Sequence, residues 1–164
     1  MKRTRLVGLS LLALCVALGL GCGASDSCGT DGEISVRCAE SLVSGFRPPL
    51  VSGYSIKSVY AVSQGQKAVV TLQYAPANRR SYLVVVNVQT SSSSSPDIQG
   101  DRVEDVDGLQ VTFWETEGSY AAATRVERVL YQVEVLKTPS SASDDLAAVR
   151  TSFLKSIADQ SVPQ

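Results

Sequence analysis

Between residues 54 and 136 the chain repeats one pattern: short stretches of alternating apolar and polar residues, separated by clusters of Gly, Pro, Asn and Ser. Successive side chains of an extended strand point to opposite faces, so alternation marks strands with one dry and one wet face. YSIKSVYAV (54–62) puts Tyr54, Ile56, Tyr60 and Val62 on one face, and KAVVTLQY (67–74) does so with Ala68, Val70, Leu72 and Tyr74. SYLVVVNVQT (81–90) sets Tyr82, Val84, Val86 and Val88 against Leu83, Val85, Asn87 and Gln89. LQVTFWE (109–115) points Leu109, Val111 and Phe113 one way and Gln110, Thr112 and Trp114 the other. SYAAAT (119–124) follows a Glu117-Gly118 turn, and RVERVLYQVEVL (125–136) reads as the longest strand, with Val129, Tyr131, Val133 and Val135 on its cleanest face. Short intervening turns make consecutive strands antiparallel neighbours.

Helical spacing flanks this region. In EISVRCAESLV (33–43), Ile34, Cys38 and Leu42 recur at intervals of four, and Ser44-Gly45 with Pro48-Pro49 stop the element. Near the end, Ser143 is placed to cap a helix, Asp144 and Asp145 suit its dipole, and Leu146, Val149, Phe153, Leu154, Ile157 and Ala158 form its apolar stripe. The expected fold is α+β: a twisted antiparallel sheet of about six strands, with an N-terminal and a C-terminal helix packed on one face.

The serine run 91–95, followed by Pro96, reads as a solvated loop. The acidic segment 97–108 contains Asp105-Val106-Asp107-Gly108, only a fragment of a calcium-binding loop, while Val103 and Val106 suggest a short strand there.

The N-terminus concerns location. Lys2, Arg3 and Arg5 precede an uncharged run from Leu6 to Gly21 that is too short and too glycine-rich for a typical span, the pattern of a secretory signal peptide. Leu18-Gly19-Leu20-Gly21-Cys22 resembles the bacterial lipobox, in which the cysteine is acylated and becomes the first residue of the mature chain. Gly21 fits that motif. Gly19 departs from it, because Leu, Val or Ile is usual there, and this leaves ordinary signal cleavage open. The expected organisation is a signal peptide over 1–21, a flexible tether over 22–32 and a single domain over 33–164.

The cysteines agree with this reading. Of the four, Cys15 leaves with the signal and Cys22 carries lipid, so Cys28 and Cys38 are left as a pair for a disulfide in an oxidising compartment. A structural zinc site takes four Cys or His ligands, and this sequence contains no His.

Removing residues 1–21 leaves 143 residues, with 12 Lys and Arg against 16 Asp and Glu, a net charge of −4. Arg79-Arg80 is the only adjacent basic pair in that part, so no basic patch for nucleic acid is expected. The lack of His removes Ser-His-Asp and Cys-His nucleophile systems. No Gly-x-Ser-x-Gly elbow or phosphate-binding loop occurs. Carboxylate pairs that could serve a glycosidase are Glu104 with Asp105, Glu115 with Glu117, and Glu127 with Glu134, and each is also explained as a solvated edge or loop. No catalytic residue, cofactor or metal is expected. Trp114 and Tyr120 are candidates for a contact surface, although a lone Trp is more often at home in a core.

The stretch PPLVSGYSIKSVYAVSQGQKAVVTLQY, followed by SYLVVVNVQ and later SASDDLAAVRTSFLKSIA, resembles an uncharacterised bacterial extracytoplasmic domain. That domain occurs in lipoproteins and in membrane-tethered proteins related to anti-sigma factors. The resemblance spans roughly residues 40–158, rests on strand and turn patterns, and carries over no catalytic residues. It implies a non-catalytic module that senses the envelope or binds a protein partner there. A more distant likeness, to periplasmic lipoprotein carriers, implies an apolar ligand held between sheet and helices.

Overall fold

The computed structural model describes residues 28–64, 67–77, 82–91, 100–137 and 142–160. The proposed signal peptide, Cys22 and most of the proposed tether lie outside these residues. In chain order the elements are β1 (Gly32–Glu33), α1 (Val36–Leu42), β2 (Tyr54–Gln64), β3 (Lys67–Pro76), β4 (Val84–Thr90), β5 (Arg102–Val106), β6 (Leu109–Glu115), β7 (Ser119–Val126), β8 (Val129–Leu136) and α2 (Ser143–Asp159). The chain is thus α+β with an antiparallel sheet and two helices. The described strands number eight, not about six.

The sheet order is β1-β2-β3-β4-β8-β7-β6-β5, antiparallel throughout. Two four-stranded meanders therefore meet at the β4–β8 seam. The two strands beyond those six, β1 and the short β5 suggested by Val103 and Val106, sit at the edges, where one partner and high exposure weaken the signature of alternation. β1 is two residues long, and all of β5 except Val106 is exposed. The charges of Arg102, Glu104 and Asp105 on that edge discourage pairing with another chain.

β5 and β6 join through Asp107-Gly108, with φ of 51° and 86°. Positive φ at both central positions is the requirement of the tightest hairpins, and Asp-Gly meets it. Asp105 accepts a hydrogen bond from Gly108 N at 3.0 Å. The acidic fragment that resembles a calcium loop is therefore a hairpin turn. Likewise β7 and β8, expected to meet at residue 125, turn through Glu127 at φ 52°.

Strand pairing puts Val70, Leu72 and Tyr74 of β3 in line with Val88, Val86 and Val84 of β4, then with Tyr131, Val133 and Val135 of β8. All nine are buried, at 2% exposure or less. β2 departs from its simple alternation. Its register with β3 shifts between Ile56 and Ser58, so one residue, Lys57, is bulged out. A bulge adds a residue to one strand and inverts every later side chain. Val59 and Ala61 consequently enter the core, while Tyr60 and Val62, expected on the same face as Tyr54 and Ile56, are 38% and 51% exposed.

The N-terminal helix is shorter than the expected 33–43. Glu33 pairs with Tyr60, and Ile34 N donates to Val59 O at 2.9 Å, so the chain is still extended there. Ser35 then caps α1 by accepting from Cys38 N at 3.1 Å. α1 contacts β2 and β3, and α2 contacts β8, β7 and β5. Ala39 and Val43 from the first helical region join Leu146, Phe153, Leu154, Ile157 and Ala158 of α2 in one buried cluster with the sheet side chains. The α2 cap also differs from expectation. Ser143 is the first helical residue, and Ala142 stands at the N-cap position without a side-chain hydrogen bond.

The segment between α1 and β2 is held by both layers. Tyr74 donates its hydroxyl to Pro49 O at 3.0 Å, Ser156 Oγ accepts from Leu50 N at 2.8 Å, and Gln160 Nε2 donates to Pro48 O at 3.2 Å. Burial pushes the Tyr74 phenol well above its ordinary pKa, with the nearby Tyr131 adding to the shift.

Candidate functional site

Strands β5, β6 and β7 carry a row of alternating cations and rings where they meet α2. The Arg102 guanidinium lies 5.1 Å from the Phe113 ring centroid, and Arg150 lies 4.5 Å from the same ring. Arg150 is also 5.6 Å from the Tyr120 ring, and the Lys137 ammonium is 4.8 Å from Tyr120. Strand register explains the order, because Arg102 pairs with Phe113 and Tyr120 pairs with Glu115. An aromatic face attracts a cation most strongly where water is excluded, and Arg150 is 4% exposed.

The charges at this site are unevenly matched. Arg102 Nε pairs with Glu104 at 3.1 Å, and Lys137 Nζ pairs with Glu115 at 2.6 Å. Lys137 holds the Glu115 carboxyl below its usual range, chiefly through that hydrogen bond. Arg150 has no carboxylate partner among the described residues. Its Nη1 donates to Ala121 O at 3.2 Å, and its buried Nε has no hydrogen-bond partner. Burial, reinforced by the like charge of Arg102, lowers the Arg150 pKa, while Glu104, Tyr120 and Glu115 oppose the shift. An Arg starts so high that it stays charged at neutral pH.

A cavity of about 160 Å³ opens here, lined by Asp101, Arg102, Phe113, Glu115, Tyr120 and Arg150, with Trp114 at its border. The backbone brings Asp101 close by crossing β6 tightly. Asp101 N donates to Phe113 O at 2.8 Å, and a Cβ on Gly100 would stand only 2.8 Å from that same oxygen. Asp101 accepts in return from Glu115 N at 3.3 Å.

The second surface is the sheet face turned away from the core. It carries a groove of about 400 Å³ lined by Val62, Val69, Thr71, Asn87, Gln89, Leu130 and Gln132, with Val88 also bordering it. Thr71 donates to Asn87 Oδ1 at 2.7 Å, which fixes the groove floor across β3 and β4.

Cys28 and Cys38 stand at disulfide distance, with Cα atoms 5.2 Å apart. Cys22 lies outside the described residues. Trp114 and Tyr120 do not project side by side. Trp114 pairs with Ala121, and Tyr120 pairs with Glu115 one step away, so their side chains leave opposite faces of the sheet. Trp114 is half-buried on the outer face, neither core nor freely exposed.

The carboxylate pairs are dispersed. Glu104 is paired with Arg102, and Asp105 belongs to the hairpin turn. Glu115 is paired with Lys137. Glu127 sits in the turn before β8, and Glu134 lies far along that strand, accepting from Gln132 at 2.6 Å. Among the described residues no group of three His, Cys, Asp or Glu is close enough to hold a metal ion, and no helix is long and apolar enough to cross a membrane.

Arg150 is the feature that sequence reasoning missed. Its signal is present, since it follows Leu146 by four and precedes Phe153 by three, which puts an Arg inside the apolar stripe of α2.

No family model, no curated protein and no solved structure matches this chain.

Proposed function

We propose that this chain is a non-catalytic binding module, held on the extracytoplasmic side of a bacterial membrane by acyl chains on Cys22, which meets an envelope protein through the outer face of its sheet. The observation that carries the reading is the one-sided core. The buried positions of β3, β4 and β8 and the apolar stripe of α2 belong to one cluster. The opposite face presents Tyr60 and Val62 beside a groove. A sheet face that carries exposed aromatic and aliphatic side chains around polar groups has the make-up of a protein-contact surface.

The anchor rests on the N-terminal motif, and the envelope setting is also what the resemblance of residues 40–158 implies. Several acyl chains give stable attachment where a single chain is only marginal. The carrier alternative is less well supported. The cavity beside α2 is bordered by two arginines and two carboxylates, which do not suit an apolar ligand.

The test is site-specific photo-crosslinking in the intact envelope. A photoreactive residue at Val62 should give a discrete adduct with one envelope protein, whereas the same probe at Lys155, exposed on α2, should give none. Equal adducts from both positions, or none from either, would refute the outer-face reading.

A further inference from the structure

The geometry points to a second site, on the helix-bearing side of the sheet, for the charged end of a small amino-acid-like zwitterion: Arg150 takes its carboxylate and Asp101 faces its ammonium group. The inference does not depend on the outer-face reading or on the lipid anchor.

Charge matching at the cavity is the basis. Two of its three neighbouring cations are already neutralised, Arg102 by Glu104 and Lys137 by Glu115. What is left bordering the space is one guanidinium and one carboxylate, Arg150 and Asp101, neither of which forms an ion pair among the described residues. They are not within salt-bridge distance of each other. A buried charge without a counterion is costly, and an arriving counter-charge removes that cost. Arg150 is more than nine-tenths buried, its Nε is unsatisfied, and Phe113 and Tyr120 flank its guanidinium. The fork is therefore held before a ligand arrives, which reduces the ordering entropy of binding. A planar carboxylate matches a guanidinium fork.

Asp101 sets the second half of the selectivity. A doubly charged anion such as phosphate would meet its carboxylate and that of Glu115 at the rim, and like charges brought together oppose binding. A ligand with an ammonium group next to its carboxylate turns the same rim into a contact. The space, about 160 Å³ and open to solvent on one side, has room for the charged end of a small amino acid.

The experiment is an NMR titration of the ¹⁵N-labelled full chain in detergent micelles, following the Arg150 Nε–H signal, which is assigned by its disappearance in Arg150→Lys. Glycine, acetate and inorganic phosphate are the probes. Glycine should shift the signal saturably and bind about tenfold more tightly than acetate, the scale of one added charge-assisted contact, with phosphate weakest. Asp101→Asn, on the exposed rim, should reduce glycine affinity to that of acetate while leaving acetate binding in place. Arg150→Lys keeps the charge and loses the fork, and should weaken both by about tenfold. If Arg150→Lys fails to fold, the Asp101→Asn comparison carries the test alone. No saturable shift with glycine, glycine no tighter than acetate, or phosphate as tight as glycine would each overturn the proposal.

Discussion

Phe153→Ala is expected to destabilise the chain by about 3–5 kcal/mol, the range for truncating a fully buried Phe. Phe153 is 0% exposed and reaches from α2 to two rings of the first meander. Its ring meets Tyr74 edge-on, with centroids 4.9 Å apart and planes at 82°, and meets Tyr54 at 5.2 Å and 79°. Edge-to-face pairs each add about 0.5–1.5 kcal/mol beyond area burial. Tyr74 in turn holds Pro49 through its hydroxyl, so the truncation also loosens the segment that links α1 to β2. Such a loss is a large share of the ~5–15 kcal/mol by which domains are stable. The measurement is denaturant unfolding, read as a lower midpoint with an unchanged slope. Val62→Ala, on the outer face, should stay within about 0.5 kcal/mol. A Phe153→Ala loss below about 1 kcal/mol would contradict the described packing.

The second large effect is expected from the cysteine pair. Replacing Cys28 and Cys38 together by Ser should cost about 3 kcal/mol, because the bridge closes a loop with a sequence separation of 10 and restricts the unfolded chain. A bridge at this distance ties the start of the described chain to the face of α1 that buries Cys38 and Ala39. α1 has only seven residues, too few to be stable without tertiary support. Reducing the native chain should therefore lower the unfolding midpoint and speed amide exchange in α1 more than in β8. Identical unfolding curves with and without reductant would show that the pair contributes nothing.

How legible was this structure in its sequence? Where a strand has neighbours on both sides and one buried face, alternation located both the strand and its inward side chains, as with Val84, Val86 and Val88 of β4. Edges were harder: Val103 and Val106 hinted at β5, which buries little, and the two-residue β1 fell between the expected tether and helix. The bulge at Lys57 could not be read from periodicity, since one inserted residue inverts all that follow, and only pairing with β3 reveals that Val59 rather than Tyr60 turns inward. Glu127 concealed a turn inside what read as one strand, because non-glycine residues seldom adopt positive φ.

The candidate sites divide in the same way. Cys28 and Cys38, set together by counting cysteines, stand at disulfide distance. The Arg150 cluster did not emerge, because its meaning lies in partners from β5, β6 and β7, far away in the chain. An Arg within an apolar stripe can be seen in sequence. Whether a carboxylate awaits it across the core cannot, and here the absence of such a partner among the described residues is what makes the cavity informative.

The anchored, extracytoplasmic setting underlies the proposed function, and the intact mass of the membrane-extracted chain tests it most directly. The account predicts a mature chain that begins at Cys22, carries the added mass of several acyl chains, and is two hydrogens lighter than its reduced form through the Cys28–Cys38 bridge. A chain that retains residues 1–21, or one cleaved elsewhere with an unmodified Cys22, would contradict it.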